Sequence, residues 1–541
     1  MTLLIKNVLI LGSPRGPLRQ GASEASEAGG GQEFPEKRDV FVTGDKISAI
    51  GDFGNKKADE IIDGQGAYLS PGFIDVNTDS DHYLSLLDHP QQEDFLRQGV
   101  TTIVGGMCGS SLAPLLYGSL ESVQKWGDVR KVNVGWHSVA EFLATLDKLS
   151  LGVNFATLVG HSTVRRALVG DNLRDLSKNE LHVLGGVLER SLKEGAFGLS
   201  TGLGYVHGSK TPYSEIKYLA EIVKKYNGVY ATHLRKSGPE FKNSVDETIK
   251  LAKETGAKTL ISHFMPFRGT EKAYGEALRE IRDLPHDMDF NFDLYPFDAS
   301  VLPIYTFLPA WAQNGGKAVM LRNIKDDWLS ERIVKDLPEI NSKDFILAQA
   351  PGNDFLVGKT LEELSEIFNT ENQKRALIKL MASTELRGVV FYKNINANLI
   401  RRAIENPRSL IASNAAAMGE SEKVRILKPE RALGTFTKFL KMAASDGIMP
   451  LGAAVKKITR DPAQKFNIKG RGSIKEGDFA DIVVFRFNEV VPDAEGTSAE
   501  KEKNVEIECV VVNGVVAFKK SGGVLERRGG RVLRHGSAPK A

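Results

Sequence analysis

Cysteine is nearly absent from this sequence, and so are long apolar runs. Only Cys108 and Cys509 occur among 541 residues, so no disulfide framework is expected and a reducing compartment fits. No segment approaches the roughly 18 consecutive apolar residues that a membrane helix needs. The apolar N-terminus carries Lys6 and lacks the basic segment and the cleavage site of a signal peptide. We therefore expect a soluble, cytoplasmic protein with no membrane partner.

A dominant charge is lacking too. The formal net charge is only +3 at pH 7, so no strong field points to nucleic acid or to an acidic partner. The composition is otherwise that of a globular protein, with 26% charged and 41% hydrophobic residues. The length allows one large enzyme domain with appendages.

Both ends of the chain are dense in β-branched residues. Five strands are predicted in them: residues 1–10, Asp39–Val42, Ile47–Gly51, Ala480–Phe485 and Val505–Phe518. Within the last of these, Asn513-Gly514 predicts a hairpin turn. We expect residues 1–70 and 469–541 to form one small β-sandwich.

Two segments near these ends offer little to bury. Residues 11–37 are rich in Gly, Ser, Glu and Pro, which predicts a disordered loop. The basic, Gly-rich tail after Lys519 is predicted to be a solvated extension.

The middle of the chain, residues 71–468, alternates short β-branched runs with helical segments such as Glu215–Tyr226 and Ser244–Thr255. Eight strands are predicted: Phe73–Asn77, Thr101–Gly105, Asn154–Gly160, Ala196–Thr201, Val229–Leu234, Lys258–Phe264, Asp289–Pro296 and Ser409–Ala415. This alternation predicts an α/β fold of the (β/α)8 TIM-barrel type. An open doubly wound sheet is the alternative, but no Gly-rich phosphate fingerprint follows the first strand. Residues 300–400 separate the last two strands and are expected to form an insertion subdomain.

Three residues with metal-binding side chains lie at or after predicted strand ends. His233 and His263 belong to YATHLR and LISHFM, and Cys108 lies in the turn GGMCGSS after the second strand. The C-terminal ends of barrel strands meet at one mouth, where active sites of this fold form. Alone, each residue is more often part of the core. Together, a thiolate and two imidazoles favour a zinc site.

Four other histidines are interpreted from their positions in the chain. His161 ends the third strand and is expected to line the same mouth. His82, His89 and His207 lie in predicted loops and are expected at the surface.

Eight segments occur in an order that resembles a known family. They are PGFIDVNTDSD, QGVTTIVGGMCGSSLAP, LVGHSTVRR, GAFGLSTGLGY, YATHLR, ISHF, DLYP and RGSIKEGDFADIVVF. Together, over roughly residues 65–535, they are similar to the N-acyl-D-amino-acid deacylases, or D-aminoacylases, of the amidohydrolase superfamily. The resemblance implies a barrel with a flanking sandwich, and one tight zinc bound by Cys108, His233 and His263. It also implies a metal-activated water that attacks the amide of a small molecule, an N-acylated amino acid.

The sequence departs from this family at four positions. Asn77 and Asp79 stand where the family's first strand ends in His-x-His for a second metal. Asn414 replaces an aspartate that shuttles protons, and Met265 replaces a lysine that meets the substrate carboxylate. Because an asparagine amide has no titratable proton, Asn414 cannot act as an acid or a base.

Three further residues are candidates for the site. Asp79 is either an oxygen ligand or base, or a solvated loop carboxylate. Arg235 follows His233 by two and so faces the same side of its strand; it either takes a substrate carboxylate or forms an ion pair at the rim. Tyr295 matches a substrate-contacting tyrosine by resemblance, or is a buried aromatic residue.

Three functions remain open. The first is a metal-dependent hydrolase of a linear carbon–nitrogen bond other than a peptide bond, weakened or altered, in which Asp79 or Asp81 does the proton work. The second is a catalytically silent binding protein that keeps a residual zinc site. The third is a cyclic-amide hydrolase, which would need the His-x-His pair and a carboxylated lysine that bridges two metals; neither is evident.

Overall fold

The computed structural model describes most of the chain. The described residues are 1–12, 37–117, 120, 129, 132–170, 172–238, 240–313, 316–370, 372–419, 426–490 and 502–536. The loop predicted to be disordered at 11–37 lies almost wholly outside them. No helix within the described part is long and apolar enough to span a bilayer.

The strands of the described residues are, in chain order, β1 (Thr2–Ile10), β2 (Lys37–Thr43), β3 (Lys46–Gly51), β4 (Glu60–Asp63), β5 (Tyr68–Pro71), β6 (Phe73–Asp75), β7 (Val100–Gly105), β8 (Asn154–Thr157), β9 (Val159–Gly160), β10 (Gly198–Gly202), β11 (Val229–His233), β12 (Lys258–Ile261), β13 (Phe290–Leu294), β14 (Ser300–Pro303), β15 (Phe345–Gln349), β16 (Val389–Tyr392), β17 (Ser409–Ile411), β18 (Ile482–Val490), β19 (Glu502–Val512), β20 (Val515–Lys519) and β21 (Gly523–Val524).

The α-helices are α1 (Ser85–Asp88), α2 (Glu93–Leu96), α3 (Val139–Leu146), α4 (His161–Val169), α5 (Lys178–Lys193), α6 (Val206–Ser209), α7 (Tyr213–Lys225), α8 (Phe241–Thr255), α9 (Glu271–Arg282), α10 (Gly316–Lys325), α11 (Asp327–Asp336), α12 (Leu361–Ile367), α13 (Gln373–Ser383), α14 (Ala397–Glu405), α15 (Glu430–Ser445), α16 (Leu451–Ile458) and α17 (Arg460–Lys465). Short 3-10 helices lie at Ile304–Phe307, Ala310–Gln313, Ser342–Asp344 and Asp354–Leu356.

Both ends of the chain lie in one mixed nine-stranded sheet. Its order is β21-β20-β19-β18-β5-β1-β2-β3, and β4 pairs with β1. β18 runs antiparallel to β5, β5 runs parallel to β1, and these two ladders join the chain ends. The predicted hairpin turn is present: Asn513 and Gly514 have φ angles of 48° and 77°, the positive values that a type I′ turn needs. The predicted union of the two ends is confirmed, while their layering as a sandwich stays a prediction.

The strands of the middle region are parallel and form two sheets that meet in one segment. One sheet is ordered β6-β7-β8 and the other β17-β13-β12-β11-β10-β9. Only Leu158 separates β8 from β9. On the other side, Thr78 after β6 and Ala415 after β17 form a parallel bridge. All eight predicted strands are therefore present in the order of a (β/α)8 barrel, whose full closure stays a prediction.

The segment between β13 and β17 has a core of its own. β14, β16 and β15 form an antiparallel sheet, and helices α10 to α13 belong to the same segment. A hydrophobic cluster that includes Phe345, Leu377 and Met381 fills this unit. The expected insertion at residues 300–400 thus has the apolar centre that an independent subdomain needs.

The described part of the basic tail, up to residue 536, pairs with the fold and is not a solvated extension, contrary to the prediction. Phe155 of β8 donates its main-chain N–H to the Arg531 oxygen (2.9 Å), and the Leu533 N–H donates to the Phe155 oxygen (2.8 Å). Val532, between these tail residues, is buried. Unpaired main-chain groups at the edge of a sheet can form hydrogen bonds with such a segment. The amino-acid composition of the tail does not reveal this pairing.

A buried polar network fastens the mixed sheet to the barrel strands. Arg471 and Asp481 form an ion pair whose two side chains are each 3% exposed. Asn513, in the hairpin turn, accepts a hydrogen bond from Arg471 (2.7 Å), and Asn154 of β8 donates to Asp481 (2.9 Å). The network therefore joins elements that are more than 300 residues apart in the chain.

Removal of the carboxylate from this network should destabilise the fold. Asp481→Ala is expected to lower the free energy of unfolding by about 3–5 kcal/mol, because Arg471 would stay buried without its partner. Chemical denaturation followed by circular dichroism measures the change. Glu331→Ala is the control, since it removes an exposed ion pair with Arg375 and should cost about 0–1 kcal/mol. Equal effects of the two substitutions would contradict the structural role of the network.

Candidate metal centre

The strand ends bring the three predicted metal-binding side chains together. Cys108 follows β7, His233 ends β11 and His263 follows β12. Cys108 Sγ lies 4.0 Å from His233 Nδ1 and 3.3 Å from His263 Nε2, and the two nitrogens are 2.9 Å apart. The three ligand atoms lie within 4.8 Å of one another, the one such group in the described part of the chain.

This triangle has the size that a tetrahedral metal ion needs. Zinc bonds of about 2.3 Å to sulphur and about 2.0–2.1 Å to nitrogen place S and N about 3.6 Å apart, and two nitrogens about 3.3 Å apart. Each observed separation is within about 0.4 Å of these values. Burial lowers the pKa of His263 to about 4, so its imidazole is neutral at pH 7, as a ligand must be. The donor set and its spacing therefore fit zinc.

Two of the three metal-binding residues, and Asn414 after β17, have unusual backbone angles. Cys108, His263 and Asn414 have φ angles of 53°, 35° and 46°. Left-handed backbone of this kind costs of order 1–3 kcal/mol for a residue other than glycine. Hydrogen bonds hold the cysteine turn in place: the Gly109 N–H donates to Ser200 Oγ (3.0 Å), and Ser200 Oγ donates to the Gly106 oxygen (2.5 Å). Surrounding contacts thus enforce a conformation that the local sequence disfavours.

Tyr205 covers one side of the group. Its ring packs against the His233 ring, with centroids 4.5 Å apart. Burial, followed by the charge of Cys108, raises the pKa of Tyr205 well above its ordinary value. The hydroxyl is therefore protonated and can donate a hydrogen bond to a thiolate. Tyr205 ends the segment GAFGLSTGLGY, but nothing in that sequence marks it as a residue of the site.

His82 is buried, which corrects the prediction that it lies at the surface. Its exposed fraction is 0%. Nδ1 lies 3.0 Å from Asp79 Oδ1, and Nε2 lies 3.0 Å from the Ser110 carbonyl oxygen. Because both nitrogens face acceptors, both carry protons and the ring is a cation. The loop that carries His82 packs against the turn that carries Cys108. The local sequence does not reveal this contact.

Opposite charges stabilise each other in this loop. Burial would lower the pKa of His82, but the charge of Asp81 and the hydrogen bond to Asp79 raise it to about 9. Burial would raise the pKa of Asp79, but the hydrogen bond from His82 and the charges of His82 and Arg431 lower it. Asp79 is therefore an ionised carboxylate, 14% exposed, and its charge also acts on His263. It is not among the three residues of the metal-binding group.

Asn77 is bonded to a carboxylate below the metal-binding group. Its Nδ2 donates to both oxygens of Asp293 (3.1 and 3.3 Å), and the His263 N–H donates to Asp293 Oδ1 (2.8 Å). The Asn414 N–H donates to the Asn77 oxygen (2.9 Å). Burial raises the pKa of Asp293 to about 7. Asn77 therefore helps to position His263 and ties the turn after β6 to the turn after β17.

A buried arginine that the sequence analysis missed lies close to these charges. Arg431, in the first turn of α15, is 7% exposed, and its guanidinium carbon lies 4.7 Å from the centre of the Tyr295 ring. Among the described residues no carboxylate pairs with it, and its buried Nε has no hydrogen-bond partner. Its charge lowers the pKa of both Asp79 and His263. The segment KPERALGTF has no functional signature, so only burial distinguishes this arginine.

Arg235 forms the ion pair that was the alternative to substrate binding. Its Nε and Nη2 donate to the two oxygens of Glu247 (3.0 and 2.8 Å), and its Nη1 donates to the Ser209 carbonyl oxygen (2.9 Å). A substrate carboxylate would have to displace Glu247. Its role in substrate binding stays a prediction.

Three other residues of the sequence analysis are buried. Tyr295 lies beneath Arg431, and Met265 belongs to the apolar core. His161, expected to line the mouth, donates its Nε2–H to Glu215 Oε1 (2.7 Å). It is not part of the metal-binding group among the described residues.

Comparisons with known proteins point to one superfamily. A sequence profile of the group described as "Amidohydrolase family" matches residues 429–518. The D-aminoacylase of Alcaligenes xylosoxydans xylosoxydans is 28% identical over 521 residues, which is 94% of this chain and 96% of that protein.

Two solved structures are similar over 98% of this chain and 99% of their own. One is a D-aminoacylase with a binuclear metal centre, described as activated by one metal and attenuated by a second (TM-score 0.73, 25% identity). The other is the N-acyl-D-glutamate deacylase of Bordetella bronchiseptica with zinc and a phosphonate mimic of the tetrahedral intermediate (TM-score 0.75, 23% identity). Profile, near full-length sequence similarity and fold agree that the chain belongs to the amidohydrolase superfamily, where it groups with the D-aminoacylase family.

Proposed function

We propose that this protein is a zinc-dependent hydrolase of the linear amide bond in an N-acylated D-amino acid, with altered activity. The observation that carries the proposal is the group of Cys108, His233 and His263, whose donor types and spacing fit zinc. A zinc ion held there would supply a water of lowered pKa and would polarise the amide carbonyl. The similarity to D-aminoacylase over 94% of the chain supports the substrate class.

Arg431 and Tyr295 are proposed to bind the substrate carboxylate. Arg431 is a buried cation that no described carboxylate neutralises, and it has a vacant donor at Nε. A buried arginine with a free N–H donor can bind a planar carboxylate through two parallel hydrogen bonds. Met265, which stands where the family has a lysine, is apolar and buried, so Arg431 supplies the cation in its place. Arg235 is proposed to stabilise the rim of the site through its ion pair with Glu247.

Asp79 is proposed to carry the proton that Asn414 cannot carry. The leaving nitrogen must be protonated when the carbon–nitrogen bond breaks, and Asn414 has no titratable proton. Asp79 is ionised and close enough to His263 to affect its pKa. It can accept a proton and return it to the leaving group. The alternative prediction, a solvated loop carboxylate, does not suit a side chain that is 14% exposed. Between ligand and base we favour the base, because Asp79 Oδ1 is already paired with His82.

A catalytically silent binding protein is the second candidate. Asn414 favours it, because this residue removes the family's proton shuttle while the metal-binding group and Arg431 remain. Such a protein would bind zinc and an N-acylated amino acid without turnover. A cyclic-amide hydrolase is not favoured, since the described residues hold one metal-binding group.

Metal content tests the zinc assignment directly. The purified protein is expected to contain about one zinc per chain, because one soft-ligand group is present. Cys108→Ser should lose most of it, while Cys509→Ser should keep it, because Cys509 is buried in β19 away from this group. Inductively coupled plasma mass spectrometry gives the stoichiometry. Equal zinc contents in the two variants would contradict the assignment.

Turnover separates the two candidate functions. Hydrolysis of ordinary N-acetyl-D-amino acids is expected to be weak or absent, because loss of a general acid–base group typically costs about 10²–10⁴ in rate. Asn414→Asp should raise the rate modestly, and Asp79→Asn should remove what remains. Acetate release measures each rate. Robust hydrolysis by the unmodified protein that persists in Asp79→Asn and Asp81→Asn would refute the proton path.

Ligand binding tests Arg431 whether or not turnover occurs. Arg431→Met is expected to weaken the binding of an N-acetyl-D-amino acid roughly 10- to 100-fold, since a hydrogen bond to a charged group contributes about 1.5–3 kcal/mol. The corresponding C-terminal amide, which lacks the carboxylate, should bind the variant and the unmodified protein alike. Isothermal titration calorimetry measures both. Arg235→Met is the matched control, and a larger loss in this control would transfer the role to Arg235.

A further inference from the structure

Buried carboxylates crowd the region beside the metal-binding group. Asp75 ends β6, Asp79 and Asp81 follow it, and Asp293 lies in β13. Asp75, Asp81 and Asp293 are at most 1% exposed. Carboxylate oxygens are ordinary ligands of divalent cations, and the D-aminoacylase relative has a binuclear metal centre. The residue types beside the metal-binding group would therefore allow a second metal ion.

Two of these carboxylates are already used within the protein. Asp75 accepts the main-chain N–H groups of Asn77 (3.2 Å) and Ser413 (3.1 Å). Asp293 accepts from the Asn77 amide and from the His263 N–H. These bonds hold the ends of β6, β12 and β17 together. A metal ion that drew on Asp293 would have to break the support of His263. A metal ion that drew on Asp75 would have to break its bonds to Asn77 and Ser413.

The other two carboxylates flank an internal cation. His82 Nδ1 lies 3.0 Å from Asp79 Oδ1, and the neighbouring Asp81 accepts the Gly106 N–H at Oδ2 (2.7 Å). The second nitrogen of His82 reaches the Ser110 oxygen in the cysteine turn. The imidazolium thus neutralises the carboxylate that faces the site and braces the turn that carries the thiolate.

We infer that the His82 imidazolium stands in place of a second metal ion, so that this chain holds a single metal and lacks second-metal attenuation. The residues at the second position do not fit a metal: Asn77 offers an amide bonded to Asp293, and Asp79 is paired with His82. A divalent cation placed beside Asp79 would be repelled by the imidazolium. The inference rests on the proposed function, because it presupposes the zinc at Cys108.

Zinc titration of the metal-free protein tests this inference. Isothermal titration calorimetry should show one tight site per chain, and Cys108→Ser should abolish it. His82→Asn removes the internal cation and frees Asp79, so a second zinc site should appear, provided that circular dichroism shows a native fold. His89→Asn is the control, because His89 is an exposed histidine a few residues away, and it should keep one site. Any residual hydrolysis should be unaffected by excess zinc in the unmodified protein and reduced by it in His82→Asn.

The outcomes separate this inference from the proposed function. Absence of a tight site in the unmodified protein would overturn the proposed zinc centre. Two tight sites in the unmodified protein, the second lost in Asp79→Asn, would overturn the role of His82 and leave the zinc centre standing. A folded His82→Asn protein that still binds one zinc would also overturn the role of His82. If His82→Asn does not fold, the number of zinc ions that the unmodified protein binds decides. One tight site supports the inference, and two overturn it.

Discussion

Main-chain hydrogen bonds between neighbouring parallel strands position the three metal-binding residues of this site, and they continue past the strand ends. The Asn414 N–H bonds to the Asn77 oxygen and the Asp79 N–H to the Ala415 oxygen, which joins the first and last strands of the parallel set. These bonds fix the turns, and the turns fix the side chains. A thiolate and an imidazole that are 125 residues apart in the chain thereby come within 4.0 Å. Without this lateral pairing the metal-binding residues would be unrelated positions in a long sequence.

Burial of charge is the second constraint on the site. A charge removed from water is costly unless a partner compensates it. Asp79 has His82, and Asp293 has the Asn77 amide and the His263 N–H. Arg431 differs from these groups, because the described residues give it an aromatic face but no carboxylate. A bound anion would remove that imbalance, and this is the basis of the proposed role of Arg431 in binding the substrate carboxylate.

The four departures from the family are accommodated in different ways. Asn77 and Asp79 take part in hydrogen bonds that support the metal-binding group, and neither belongs to that group. Asn414 adopts a left-handed backbone conformation, which asparagine tolerates better than most residues. Met265 is part of the apolar core. A site altered in this way keeps its metal-binding group, while the proposed function assigns the proton path to Asp79 and the carboxylate-binding cation to Arg431.

The sequence by itself determined the strands and the three metal-binding residues. The eight β-branched runs predicted the parallel strands, and the Asn-Gly pair predicted the hairpin, because these depend on local propensity. Cys108, His233 and His263 were found because each lies at or just after a strand end. Only the tertiary structure decided the burial of His82, the pairing of the tail with β8, and the position of Arg431 over Tyr295. These features depend on contacts between distant segments, and the free energy of a buried charge or an unpaired strand edge is set by whatever the fold brings against it.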